Sequence, residues 1–187
     1  MSLRQGVNQE RITGFMRQLG ERYHRPGRLY LVGGTSLVLE GYRQHTLDVD
    51  LSIEVTADNH DDLMRALQEI MLSLDMNIDE ASPGDFIPLP AGYADRHVFI
   101  GRYGQVDVFH FDFYSTSLSK IERGRRQDLD DVITLLTNKR IEWVQLESMF
   151  HEILPLMRYK SLRQKPAEFS GNFEALRALW HSAGGTL

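Results

Sequence analysis

Apolar positions divide the chain into segments of helical and strand period. Residues 9–23 place Ile12, Phe15, Met16, Leu19 and Tyr23 on one face of a helix, and Arg25-Pro26-Gly27 turns the chain after it. Leu29–Val32 is a short continuous apolar run, the pattern of a buried strand. A helix is predicted from about Thr35 to Gly41, with Gly41 as its cap, and a strand over 46–54. Asp58-Asn59 are expected to cap a helix running to about Leu74, whose stripe is Leu63, Met64, Leu67, Ile70, Met71 and Leu74. Residues 75–94, with three prolines and two glycines, read as a strand or two with loops. Two strands over 96–102 and 105–112 flank a Tyr103-Gly104 hairpin turn. From 115 onward the periodicity is helical: Leu129 to Leu136, then Trp143 to Met157 with a break expected at Pro155, then Phe173 to Trp180. The expectation is an α+β fold in one domain over 1–187, a mixed sheet covered by helices (core about 28–136) with C-terminal helices over about 141–183.

Composition narrows the chemistry. The chain has 187 residues, enough to bury a core without staples. It has no cysteine, which excludes disulfides, thiolate catalysis and Cys-type zinc sites. Its first residues, MSLRQGVNQERI, lack the apolar run of a signal peptide, and no run approaches a membrane span, so a cytoplasmic protein with no membrane partner is expected. A net charge of −5 gives no general attraction for nucleic acid.

The candidate chemistry centres on Arg28–Val55. Asp48 and Asp50 are one residue apart on a predicted strand, so both project to one face, while Leu47, Val49, Leu51 and Ile53 point the other way. Two like charges side by side gain nothing for a fold unless a cation joins them, and carboxylate oxygens suit Mg²⁺. Upstream, Gly33-Gly34 allows backbone N–H groups to approach a phosphate, and Thr35 and Ser36 add hydroxyls. On QVDVFHFD, Asp107, Phe109 and Phe111 share a face opposite Val106, Val108 and His110. That parity sets Asp107 on the open side with Asp48 and Asp50, and His110 among core residues. Taken alone, the pair Asp48 and Asp50 also suits two solvated acids on an ordinary strand.

The order of an apolar strand, Gly33-Gly34, thirteen residues and Asp48-x-Asp50 resembles the signature of the polymerase-beta-like nucleotidyltransferase superfamily. Further on, Lys120, Arg123, Arg125 and Arg126 lie close to Asp128, Asp130 and Asp131. Those acids by themselves read as a helix start with exposed ion pairs. The sequence also resembles small bacterial nucleotidyltransferase-like proteins, including AbiEii-type toxins, in which a Lys, an Arg-rich turn and a Lys-Asp-x-x-Asp helix start follow the third strand. The matching residues are Lys120, Arg123, Arg126, Asp128 and Asp131, with Gln127 where many relatives carry Lys.

The resemblance implies a Mg²⁺-dependent nucleotidyltransferase moving a nucleoside monophosphate from an NTP to an acceptor hydroxyl. Asp48, Asp50 and Asp107 would hold one or two Mg²⁺ ions; Gly33, Gly34, Thr35 and Ser36 would hold phosphates; Lys120 would neutralise them, with Arg123, Arg126, Asp128 and Asp131 completing the nucleotide site. The implied acceptors are tRNA or another RNA end, a protein or a small molecule, and an antitoxin is an implied partner. Arg158, Lys160, Arg163 and Lys165 form a basic run that reads as a solvated helix end or an RNA contact. Two other readings remain open: a non-catalytic nucleotidyltransferase scaffold that binds a nucleotide or a partner, and metal-dependent phosphoester hydrolysis.

Overall fold

The computed structural model describes residues 6–160 and 165–186. They fall into two compact units. The first comprises residues up to Ser82 together with His97–Phe111, and the second comprises Pro83–Arg96 with the chain from Asp112 onward. Residues 28–136, expected as the core, are therefore shared between the two units. The fold is α+β, with a mixed five-stranded sheet in the first unit and a helical C-terminal part.

In the first unit, helix α1 (Gln9–Arg22) begins at Asn8, whose side chain accepts from Arg11 N at 2.9 Å. Strand β1 (Gly27–Leu31) leads into the short helix α2 (Gly33–Leu39), strand β2 (Asp48–Glu54), helix α3 (Ala57–Leu74) and strand β3 (Asn77–Glu80). The hairpin of β4 (Val98–Tyr103) and β5 (Val106–His110) completes it. Asp58 does not cap α3: it lies inside the first turn, where an acid still favours the positive helix end. The strand order is β3-β2-β1-β5-β4. β1 is antiparallel to β2 and parallel to β5, β2 is parallel to β3, and β4 is antiparallel to β5.

One face of this sheet is the core. Leu29, Leu31, Val49, Leu51, Val106 and Val108 pack with Ile12, Phe15, Met16 and Leu19 of α1 and Leu63, Leu67 and Ile70 of α3, all buried. Both apolar helix stripes thus face the same side, leaving the other sheet face to the residues that alternate with these along each strand. His110 is buried on the core side, as its parity requires, with Nε2 2.9 Å from the Glu40 carboxylate at the end of α2.

The second unit holds two 3₁₀ turns (Pro83–Asp85 and Tyr93–Arg96), α4 (Phe113–Arg123), α5 (Arg126–Thr137), α6 (Trp143–Ile153), the one-turn α7 (Met157–Lys160) and α8 (Pro166–Ser182). Asp112 caps α4, accepting from Tyr114 N and Ser115 N at 3.2 Å each, and Arg96 Nη2 donates to it at 2.9 Å. Pro155 ends α6 as expected, through a 3₁₀ turn over Leu154–Leu156. Helix α8 begins at Pro166, ahead of the expected stripe from Phe173 to Trp180, because proline fits the first helical position and Phe169 adds a buried residue to the stripe. The rings of Phe150 and Phe173 stack at 3.9 Å between centroids within this unit. Arg163 and the side chain of Lys160, from the expected basic run, lie outside the described residues.

Candidate functional site

The register orders the sheet's second face into rows across the strands. At one end Glu54, Arg28, Asp107 and Arg102 stand in line on β2, β1, β5 and β4. The next row is Ser52, Tyr30, Phe109 and Phe99. Hydrogen bonds from Val32 N to Asp50 O (3.0 Å) and from Phe111 N to Leu31 O (2.9 Å) carry the pairing one step further. The third row is therefore Asp50, Val32 and Phe111, with Asp79 of β3 opposite Asp50 and the His97 ring 4.6 Å from that of Phe111. Last come Asp48 and Asn77, joined by a hydrogen bond from Asn77 Nδ2 to Asp48 Oδ1 of 3.1 Å.

Asp48 and Asp50 thus project together from the start of β2, where β1 ends at the double glycine. Gly33 has φ +58, a left-handed conformation that a side chain would strain, and a Cβ there would lie 3.4 Å from Asp50 Oδ2. A Cβ on Gly34 would come 2.7 Å from Thr46 Oγ1 and 3.3 Å from Arg43 Nη1. The turn is therefore a backbone cradle with a carboxylate against one glycine and a guanidinium against the other. Arg43 escaped the sequence reading because it lies in the loop between α2 and β2, outside any spaced motif. Asp79 escaped it because the strand of residues 75–94 was not located.

Several expected site residues have other tasks. Asp107 shares the open face with Asp48 and Asp50, as its parity demands, but the parallel pairing of β5 with β1 sets it beside Arg28 at the far end of the sheet. Two strand spacings and four residues of rise separate it from Asp50 by about 16 Å. Asp107 therefore does not join the two acids; it forms a two-point ion pair with Arg102, Nε at 2.7 Å and Nη2 at 2.9 Å. That bonding holds the Asp107 carboxyl below its ordinary range. Thr35 is buried and pins α2 to β2, with its Oγ1 accepting from Asp50 N at 2.9 Å. Ser36 is buried and donates to Leu31 O at 2.9 Å. Neither hydroxyl is presented to a phosphate in this arrangement.

In the second unit Lys120 is buried, and its ammonium lies 2.6 Å from Asp131 Oδ2 and 3.4 Å from Asp128 Oδ1. Arg123 Nη2 reaches Asp128 Oδ1 at 2.6 Å. An ammonium withdrawn from water requires such partners. The cluster ties α4 to α5, and in this arrangement the Lys120 ammonium is engaged by the two carboxylates of α5. Arg126 pairs with Asp130 one turn on, at 3.0 Å, and both are exposed.

The donor set at the acidic end fits Mg²⁺. That ion takes one or two protein carboxylates and completes its shell with water and substrate phosphates. Asp48 and Asp50 supply two, and among the described residues no group of three or more His, Asp or Glu forms an all-protein cage. Also among the described residues, no helix is long and apolar enough to cross a membrane.

Among known protein families, a family model described as a nucleotidyltransferase of unknown function (DUF6036) matches residues 9–177. No curated protein and no solved structure matches the chain.

Proposed function

The chain belongs to this DUF6036 nucleotidyltransferase family, and from that premise we propose that it transfers a nucleoside monophosphate from an NTP to an acceptor hydroxyl with the help of Mg²⁺. The observation that carries this reading is the placement of Asp48 and Asp50 on one face of β2, with the Asp50 carboxylate against Gly33. A metal held by the two carboxylates supplies charge neutralisation at the transferring phosphate. The chain's own residues do the rest. The glycine turn brings backbone N–H groups against the triphosphate, and Arg43 lends positive charge beside Gly34. In the transfer the acceptor oxygen bonds to the α-phosphorus, the bond to the β-phosphate bridging oxygen breaks, and pyrophosphate leaves. The acceptor's proton passes to a carboxylate of the Asp48–Asp50 pair. Catalysis of this kind rests on positioning and electrostatics.

The acceptor is an RNA end, a protein side chain or a small molecule, and the experiment separates the first two. Purified protein is incubated with each labelled NTP, Mg²⁺ and total bacterial RNA, with the double variant Asp48→Ala/Asp50→Ala as control. Label in RNA or in the protein, lost in the control, supports transfer and names the acceptor class. A place in a toxin–antitoxin pair belongs to the same reading and predicts growth arrest on expression that the double variant does not cause.

A second reading, a nucleotide-binding regulator without turnover, is favoured by one observation: Asp107, the expected third carboxylate, is at the other end of the sheet. Mg²⁺-dependent nucleotide binding with no pyrophosphate release would select it.

A further inference from the structure

The aromatic row lies between the acidic corner and the charged row, and the proposed chemistry leaves it unused. Tyr30 and Phe109 have ring centroids 5.5 Å apart in a stacked arrangement, and Phe109 and Phe99 are 5.3 Å apart edge to face. The row grades outward: Tyr30 is 7% exposed, Phe109 is half-buried, and Phe99, on the edge strand, is 58% exposed. A lone exposed ring is ordinary, but three adjacent rings that end in one so exposed form a contiguous apolar surface.

What borders the row defines what fits it. Glu54, Arg28, Asp107 and Arg102 alternate in sign and sum to zero charge. Arg28 Nη1 lies 3.3 Å from Glu54 Oε1, and Arg102 is bonded to Asp107. A recess of about 460 Å³ opens beside this charged row, lined by Arg28, Glu54, Arg102, Gln105 and Asp107 with neighbouring backbone, and by none of the three rings. Its size lies within the range of small-molecule sites. A planar, uncharged group with donors and acceptors on its edge matches a ring surface bordered by alternating donors and acceptors of no net charge. An anionic lipid or an acidic peptide does not.

We propose that Phe99 and Phe109 stack a nucleobase, with its polar edge toward the row Glu54, Arg28, Asp107 and Arg102. Base–aromatic stacking on exposed rings tolerates any base, because each has a π face. The proposal rests on the nucleotidyltransferase reading for its second support. One row and two strands separate Phe109 from Asp50, about 12 Å, a span that a nucleotide bridges from its base to its phosphates. The base belongs either to the donor NTP or to an unpaired nucleotide of an RNA acceptor.

The test uses the full chain with three substitutions at the exposed ring. Phe99→Trp keeps a stacking face and adds a reporter, Phe99→Leu keeps an apolar surface without one, and Phe99→Ala removes both. The probes are adenosine without metal, ATP with Mg²⁺, and a short single-stranded oligoadenylate. The fluorescence introduced by Phe99→Trp should be quenched by at least one probe. Affinity for that probe should fall about five- to hundred-fold in both Phe99→Ala and Phe99→Leu, with melting temperature unchanged. Quenching by ATP but not by the oligonucleotide assigns the base to the donor, and the reverse assigns it to the acceptor. No quenching by any probe overturns the proposal, as does wild-type affinity in Phe99→Leu. Self-association that Phe99→Ala abolishes, without nucleobase quenching, overturns it in favour of a contact between copies. Pyrophosphate release is measured separately: its absence with quenching retained fails the catalytic reading alone, and its presence without quenching fails the nucleobase site alone.

Discussion

A carboxylate oxygen of Asp50 lies 3.4 Å from the point where a side chain on Gly33 would begin. Backbone turn and acidic strand therefore meet at the end of β1. Gly33→Ala should disturb both partners, because φ +58 disfavours any Cβ and the new methyl presses on the carboxylate. The expected loss is ~1–2 kcal/mol of stability. Nucleotide affinity in Mg²⁺ should fall by about tenfold, the equivalent of ~1.4 kcal/mol. Calorimetric titration and thermal melts of the same preparation separate the two effects.

The metal should depend on Asp48 and Asp50 but not on Asp107. Asp48→Asn and Asp50→Asn should each remove measurable Mn²⁺ or Mg²⁺ binding in the presence of nucleotide. Asp107→Asn should leave metal affinity as in the wild type, since about 16 Å separates it from Asp50. A loss of metal binding in Asp107→Asn would mean that β5 pairs in another register. Arg102 of the Asp107–Arg102 pair is exposed, so removing the pair should leave stability nearly unchanged.

Lys120→Met should destabilise the protein by ~3–5 kcal/mol, because it removes the buried cation that faces Asp128 and Asp131. Adding Asp131→Leu should recover part of that loss, while Asp128 keeps Arg123. Denaturant unfolding of the single and double variants measures this. A Lys120→Met protein of unchanged stability would contradict the buried pairing.

Tyr30 should titrate late. Burial, reinforced by its hydrogen bond to Glu54, pushes its phenol up to about 12 from an ordinary 10.0. With the folded-state value raised, the folded protein holds its proton more firmly than the unfolded chain does. The stabilisation is complete below pH 10 and is lost as pH rises toward 12. Burial raises Tyr23 as well, so phenolate absorbance should show a late phase that Tyr30→Phe reduces by one tyrosine, and a late phase of undiminished amplitude in that variant would refute the assignment.

The sequence by itself determined every element whose apolar period is long or whose turn chemistry is plain. The stripes of α1 and α3, the helix break at Pro155 and the face on which Asp48 and Asp50 stand follow from spacing alone, because side-chain direction within one element is fixed by backbone geometry. The same parity put His110 in the core and Asp107 on the open face. Only the tertiary structure decided which end of that face Asp107 occupies, since parity carries no information about register between distant strands. Register also brought Asp79 beside Asp50 and set four residues of alternating charge in one row. Burial was equally out of reach: Lys120, Thr35 and Ser36 read as ligands from their chemistry, and they turned inward because carboxylates satisfy Lys120 and backbone groups satisfy the two hydroxyls there. Arg43 became visible only when the loop after α2 folded its guanidinium back against Gly34.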